Sequence, residues 1–377
     1  MSSIINYLTK IRFGDDALDD LADELAQLGV ATPLIVTDAG LTASGLVTRV
    51  QEAIGGTRPV PVYDGTPANP TEIAIEDAVA SFREHACDGI VALGGGSSID
   101  LAKGVALLAS HPAPLRQYAM IEGGAAHISS QVLPLVAIPT TAGTGSEVGR
   151  AALISMRDER KLGFLSPHLI PDVAICDPLL TLSLPAHLTA ATGMDAIAHC
   201  VETFLSPRFN PPADAIALDG LQRATRYIRT AVSDGSNLEA RREMLMAATQ
   251  GALAFQKGLG AVHSLSHALG GFHDLKLHHG TLNALLMPIV LRFNQDHCGE
   301  KFARLRDAMG LAPGTDVVEA FTQLNIDLGL PTRLSDLGVT RERLAPVAQW
   351  ALEDHSTATN PRAPTHDDFQ RMLLEAL

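Results

Sequence analysis

Short β-branched runs and helix-period stretches alternate through the first half of this chain, and the alternation stops near residue 185. PLIVTD (33–38), GIVALGG (89–95), PLVAIPT (134–140) and VAICDP (173–178) are apolar and bounded by Gly, Pro or Asp. Such runs read as strands of a parallel sheet covered on both faces. Between them, ALDDLADELAQLG and TEIAIEDAVASFREHACD place apolar residues at helical spacing. Alternating β and α elements imply an α/β layer fold. Beyond Leu184–Pro185 helical patterns dominate, from LTAATGMDAIAHCVETFL to DDFQRMLLEAL, and strand-like runs are scarce. The expectation is an α/β domain over 1–184 and an all-α domain over 185–377, since 377 residues exceed what one core usually organises. STATNPRAPTHDD reads as a loop before the final helix.

The helical half carries metal-competent side chains at a telling spacing. GMDAIAHCVE sets Asp195 and His199 four apart, and VHSLSHALGGFHDLKLHHG holds His263, His267 and His279. Positions i and i+4 share a helix face. Two such faces, meeting in the fold, would gather one carboxylate and several imidazoles. That donor set suits zinc or iron(II) better than calcium or magnesium. A metal with an open coordination position polarises a carbonyl and acidifies an alcohol. All five residues are candidates on spacing alone. His273 and His278 are expected beside the site or on the surface, and Cys200 as a small core side chain.

Two strand-end loops suit a nucleotide. GGGSSID (Gly94–Asp100) follows a strand-like run and opens a helix. Its glycines let a ligand approach the backbone, and the helix N-terminus offers unpaired N–H groups to a phosphate. The spacing differs from G-x-G-x-x-G. The alternative is a tight turn capped by Ser97 or Ser98. PTTAGTGSE (Pro139–Glu147) sets Thr140, Thr141, Thr144 and Ser146 among two glycines, where hydroxyls and amides can wrap a pyrophosphate or a carboxamide. Asp38, in IVTDAG, can accept from both ribose hydroxyls and would repel a 2′-phosphate, which favours NAD over NADP. Its alternative is a helix N-cap.

A net charge of −14 lacks the basic footprint that nucleic acids and anionic membranes require. No apolar run approaches the roughly 20 residues needed to span a bilayer. The opening MSSIINYLTKIRFG shows no leader-like apolar core, and Cys87, Cys176, Cys200 and Cys298 form no CxxC pair. Both features point to the cytoplasm.

Taken together, GGGSSID, PTTAGTGSE, GMDAIAHCVE and the stretch ending HHGTLNALLMP resemble the iron-containing (group III) alcohol dehydrogenases, which have a dehydroquinate synthase-like fold. The motifs stand in the family's order. The resemblance implies an NAD-binding α/β domain, an all-helical metal domain and an active site in the cleft between. It assigns a divalent metal, iron(II) with zinc as the alternative, to Asp195, His199, His263 and His279. It moves His267 to the substrate side, as the candidate to relay a proton or position the substrate. Cofactor contacts fall on Asp38, Gly95, Gly96, Ser97, Ser98, Thr140, Thr141, Thr144 and Ser146, with Lys161 near the ribose. The implied reaction moves hydride between NAD and a small primary alcohol or aldehyde, in a homodimer or higher homo-oligomer.

The sequence departs from the family pattern where the resemblance puts the substrate. Gly149 and Arg150 follow GSEV where Thr is common, and FQKGLG brings Lys257 ahead of His263. Arg150 and Lys257 are therefore candidate anchors for a substrate carboxylate, as in an ω-hydroxy acid or its semialdehyde. A metal-free maleylacetate reductase and a dehydroquinate synthase-like lyase are the competing activities. The complete Asp and His set favours the alcohol dehydrogenase.

Overall fold

The computed structural model describes residues 5, 7, 9–56, 59–158, 160–272 and 274–377. His273 and part of the opening segment lie outside the described residues. The chain forms two compact units, Tyr7–Thr141 with Ser146–Ser183, and Leu184–Leu377 with Ala142–Gly145.

Among the described residues the first unit is built on eight strands: β1 (Lys10–Phe13), β2 (Pro33–Val36), β3 (Val62–Tyr63), β4 (Gly89–Gly94), β5 (Leu135–Pro139), β6 (Ala151–Ser155), β7 (Lys161–Leu165) and β8 (Val173–Cys176). Six of them form one sheet in the order β1-β8-β5-β4-β2-β3, with every pairing parallel. The four expected runs are its inner strands. Their side chains sort between the faces with a period of two. Leu34, Val36, Ile90, Ala92, Leu135 and Ala137 enter one core, while Ile35, Val91, Leu93, Val136 and Ile138 enter the other. Both faces are apolar, so the runs are continuous rather than alternating.

Sequence patterning missed β1, β3 and the antiparallel hairpin β6–β7. β3 is two residues long. The β1 edge strand carries Lys10 and Arg12, both paired at 2.6 Å with the buried Glu24; charged edges of this kind discourage further pairing and hide a strand from hydrophobicity. β4 turns directly into the helix Gly96–Ser110 through Gly94, whose φ of +147° favours glycine.

The second unit is helical. At its centre lies the helix Ala186–Leu205, buried at every residue from Thr189 onward. Helices Pro211–Ser233, Leu238–Ala254 and His279–Asn294 pack against it. Asn210 caps the first of these through the Ala213 N–H, and prolines fill its first turn, where they suit a helix start. The stretch expected as a loop begins in a 3-10 turn, His355–Thr359, and its last residues already form the final helix, His366–Ala376. A capping box between Thr365 and Asp368 starts that helix. No helix among the described residues is long and apolar enough to cross a membrane.

Candidate active site

A helix buried on all sides can carry polar residues only if they are partnered. In Ala186–Leu205 three polar residues, Asp195, His199 and Glu202, share one face at spacings of four and three. The helix Ala261–Leu269 brings His263 to this face, and His279 opens the helix His279–Asn294 beside it. The last approach depends on Gly280. A Cβ there would lie 2.1 Å from the Ala191 carbonyl oxygen, so glycine lets the two helices come close.

The result is a convergent cage. One oxygen of Asp195, Oδ1, lies 3.8 Å from His199 Nε2, 3.7 Å from His263 Nε2 and 3.5 Å from His279 Nε2. These separations exceed good hydrogen bonds. They approach the ~3.4 Å expected between ligand atoms placed tetrahedrally about 2.1 Å from one metal. Asn283, one turn beyond His279, reaches into the same space. Its Nδ2 donates to Asp195 Oδ1 at 2.7 Å, and its buried Oδ1 has no hydrogen-bond partner in the protein. An orphaned buried acceptor beside borderline donors fits a site built around a polar guest.

Electrostatics favour an ionised Asp195 and a neutral His199. Burial alone would push the Asp195 carboxyl up, but His199, His279 and His263 outweigh it and hold Asp195 well below the usual carboxylate range. Burial takes His199 down to about 4 against the pull of Asp195, leaving a neutral imidazole, the form that binds metals. His263 moves up to about 9, because Asp195 and Glu202 together overcome burial. Its Nδ1 lies 2.5 Å from Glu202 Oε2, and Glu202 also accepts from the Val262 N–H. A carboxylate on the far nitrogen fixes the ring's orientation and tautomer.

His267 is buried one turn after His263 and stacks on His279, with centroids 5.3 Å apart and planes at 10°. Its Nδ1 lies 3.0 Å from Asp354 Oδ2. Burial lowers its pKa despite that carboxylate.

The strand-end parts of the loops expected to hold a nucleotide meet inside the α/β unit. Thr140 N donates to the Gly94 carbonyl, and Thr141 lies 3.2 Å from where a Cβ on Gly95 would sit. Gly95 precedes the helix Gly96–Ser110 with no side-chain cap. Ser97 donates instead to the Ala68 carbonyl, and Ser98 is buried under Gly94, so the serine-capped turn is not what forms. Asp38 does cap a helix, its Oδ1 accepting from the Gly40 and Leu41 N–H groups. Lys161 donates to Asn69 at 3.1 Å. Thr144 belongs with the helical unit.

Residues 9–178 match the iron-containing alcohol dehydrogenase family, and residues 189–377 match the C-terminal region of the Fe-containing alcohol dehydrogenase family. The chain belongs to the iron-containing alcohol dehydrogenases. It is 53% identical to a 4-hydroxybutyrate dehydrogenase of Cupriavidus necator, with both chains covered completely. Its fold is similar to the crystal structure of a 1,3-propanediol oxidoreductase at a TM-score of 0.91, with 36% identity and full coverage of both chains. A sulfoacetaldehyde reductase of Bifidobacterium kashiwanohense, solved in complex with NAD+, gives a TM-score of 0.89 at 28% identity, over 100% of this chain and 99% of the other.

Two expectations for this dehydrogenase need correction. Lys257 is 2% exposed, forms an ion pair with Asp214 and donates to the Phe204 carbonyl. Its ammonium ties helices together and is not available to a substrate. Ser146 is likewise committed, donating to Asp100 and accepting from Lys103 at 2.8 Å. That buried network, completed by Lys103 bonds to the Gly149 and Ala151 carbonyls, braces the loop and withdraws the Ser146 hydroxyl from a cofactor. Arg150 is exposed. Sequence reasoning also passed over Glu202, Asn283 and Asp354. Glu202 and Asn283 follow ligand positions at helical spacing, a usable signal. Asp354 lies 87 residues from His267, and nothing local announces it.

Proposed function

We propose that this alcohol dehydrogenase moves hydride between NAD and the terminal carbon of a small ω-hydroxy acid, with the semialdehyde as the oxidised partner. The observation that carries the reading is the buried Asp195 oxygen facing three imidazole nitrogens. A divalent metal held in that cage, iron(II) with zinc as the alternative, would supply Lewis acidity at the reacting oxygen, and bound NAD would supply the redox partner. Asp195, His199, His263 and His279 hold it, and Glu202 orients His263. His267, with Nδ1 held by Asp354, keeps its other nitrogen to take or return the hydroxyl proton.

Residues 1–184 serve as the NAD domain and 185–377 as the metal and catalytic domain. The uncapped amides of Gly95, Gly96, Ser97 and Ser98 face the cofactor phosphates, Thr140, Thr141 and Thr144 line its path, and Lys161 lies near the ribose. With Oδ1 of Asp38 used as a cap, Oδ2 remains for a ribose hydroxyl. The enzyme works in the cytoplasm as a homodimer or higher homo-oligomer.

The identity to a 4-hydroxybutyrate dehydrogenase supports a substrate carboxylate, and with Lys257 withdrawn Arg150 is the anchor. Steady-state rates with 4-hydroxybutyrate, 1-butanol and 1,3-propanediol test this. Arg150→Met is expected to raise KM for 4-hydroxybutyrate about tenfold, the weight of one charge-assisted hydrogen bond, and to spare 1-butanol. Equal effects on both substrates would remove the anchor. Full NAD-linked activity after complete metal removal would favour the metal-free maleylacetate reductase instead.

A further inference from the structure

We infer that His267, Asp354 and His355 form a second, weaker site for a divalent transition metal. Asp354 Oδ2 lies 3.0 Å from His267 Nδ1 and 3.7 Å from His355 Nδ1, and one ligand atom from each of the three residues lies within 4.8 Å of the others. This repeats the logic of the cage, one carboxylate oxygen facing imidazole nitrogens, with two imidazoles in place of three. The His267 and His355 rings are nearly parallel, at 18° and 5.8 Å between centroids. Two histidines and one carboxylate with open positions suit iron(II) or zinc, and solvent can complete the coordination.

The elements that supply these donors explain why they meet. His267 ends the helix Ala261–Leu269, against which the helix Leu344–Glu353 packs. Asp354 follows that helix directly and caps the 3-10 turn His355–Thr359 through the Ser356 N–H. Burial opposes charge on Asp354, but His267, His355 and that N–H outweigh it and hold the carboxyl well below its usual range. Side-chain exposure runs from 6% at His267 to 25% at His355, so one flank opens to solution.

Two features make the site weaker than the cage. It has one fewer protein ligand, and a metal must displace the proton shared by His267 Nδ1 and Asp354. It therefore fills only when metal is in excess. Its effect on turnover rests on the placement of His267 at the substrate side proposed above: a metal on His267 Nδ1 draws the ring towards Asp354 and inhibits.

The test uses full-length enzyme carrying its tightly held metal, titrated with zinc chloride. Equilibrium dialysis with elemental analysis reads bound zinc, and NAD-linked turnover is followed in parallel. Wild type is expected to take up a second, weaker equivalent as turnover falls. His355→Ala should weaken that equivalent at least roughly tenfold and shift the inhibitory zinc concentration upward by the same factor, with turnover in the absence of added zinc unchanged. His355→Cys, which restores a ligand, should bring the second equivalent back. A second equivalent that is absent from wild type, or equally tight in His355→Ala, overturns the inference. Loss of the second equivalent alone leaves the Asp195 cage standing; a wild-type enzyme that holds no tight metal overturns the cage as well.

Discussion

The cage and the nucleotide loops are built by opposite means. Around Asp195 the work is done by side chains, three imidazoles on one carboxylate oxygen with Glu202 and Asn283 behind them, all carried by helices. Around Gly95 it is done by backbone, an uncapped helix start and glycines that leave room, with serine side chains turned to other tasks. A side-chain site should be fragile to single substitutions. A backbone site should absorb them.

Among residues that support the ligands, the largest effect should come from Glu202→Gln. The amide keeps the shape but loses the charge that orients His263, and metal affinity should weaken about 10–100-fold, read by competition with a chelator. Gly280→Ala comes next. The new methyl would meet the Ala191 carbonyl at 2.1 Å and force the helix bearing His279 outward. Thermal or denaturant unfolding should show a loss of about 1–3 kcal/mol, accompanied by lower metal occupancy. The smallest effect should come from the loops. Asp38→Asn preserves the helix cap, so stability should stay within about 0.5 kcal/mol, while the preference for NAD over NADP drops by no more than about tenfold. If Asp38→Asn proved more damaging than Glu202→Gln, the contrast between the two regions would fail.

The same contrast explains what was legible in the sequence. Helical spacing is a local code, so Asp195 with His199, and His263 with His267, announced shared faces before any fold was known. Extending that code by three or four residues would have found Glu202 and Asn283. Long-range packing is not local, and neither the Asp354 contact with His267 nor the commitment of Lys257 to Asp214 could be read from spacing. The inner strands were legible because both faces are buried, which writes a continuous apolar run. β1 was not, because its charged side chains are neutralised by Glu24, and β6 and β7 alternate buried with half-buried positions. Charged residues look like solvent-facing residues until their partners are known. Arg150 and Lys257 appeared equivalent in the sequence, yet one is exposed and the other is buried.

The central claim is that four side chains meeting at Asp195 Oδ1 hold the catalytic metal. Metal content of dialysed wild-type enzyme and of Asp195→Ala, measured alongside NAD binding, tests it most directly. The account predicts one tightly held equivalent of iron or zinc in the wild type. In Asp195→Ala it predicts none, with NAD affinity unchanged and turnover lowered by roughly a thousandfold or more, since several kcal/mol of charge stabilisation is lost. An Asp195→Ala protein that kept its metal and its turnover would contradict it.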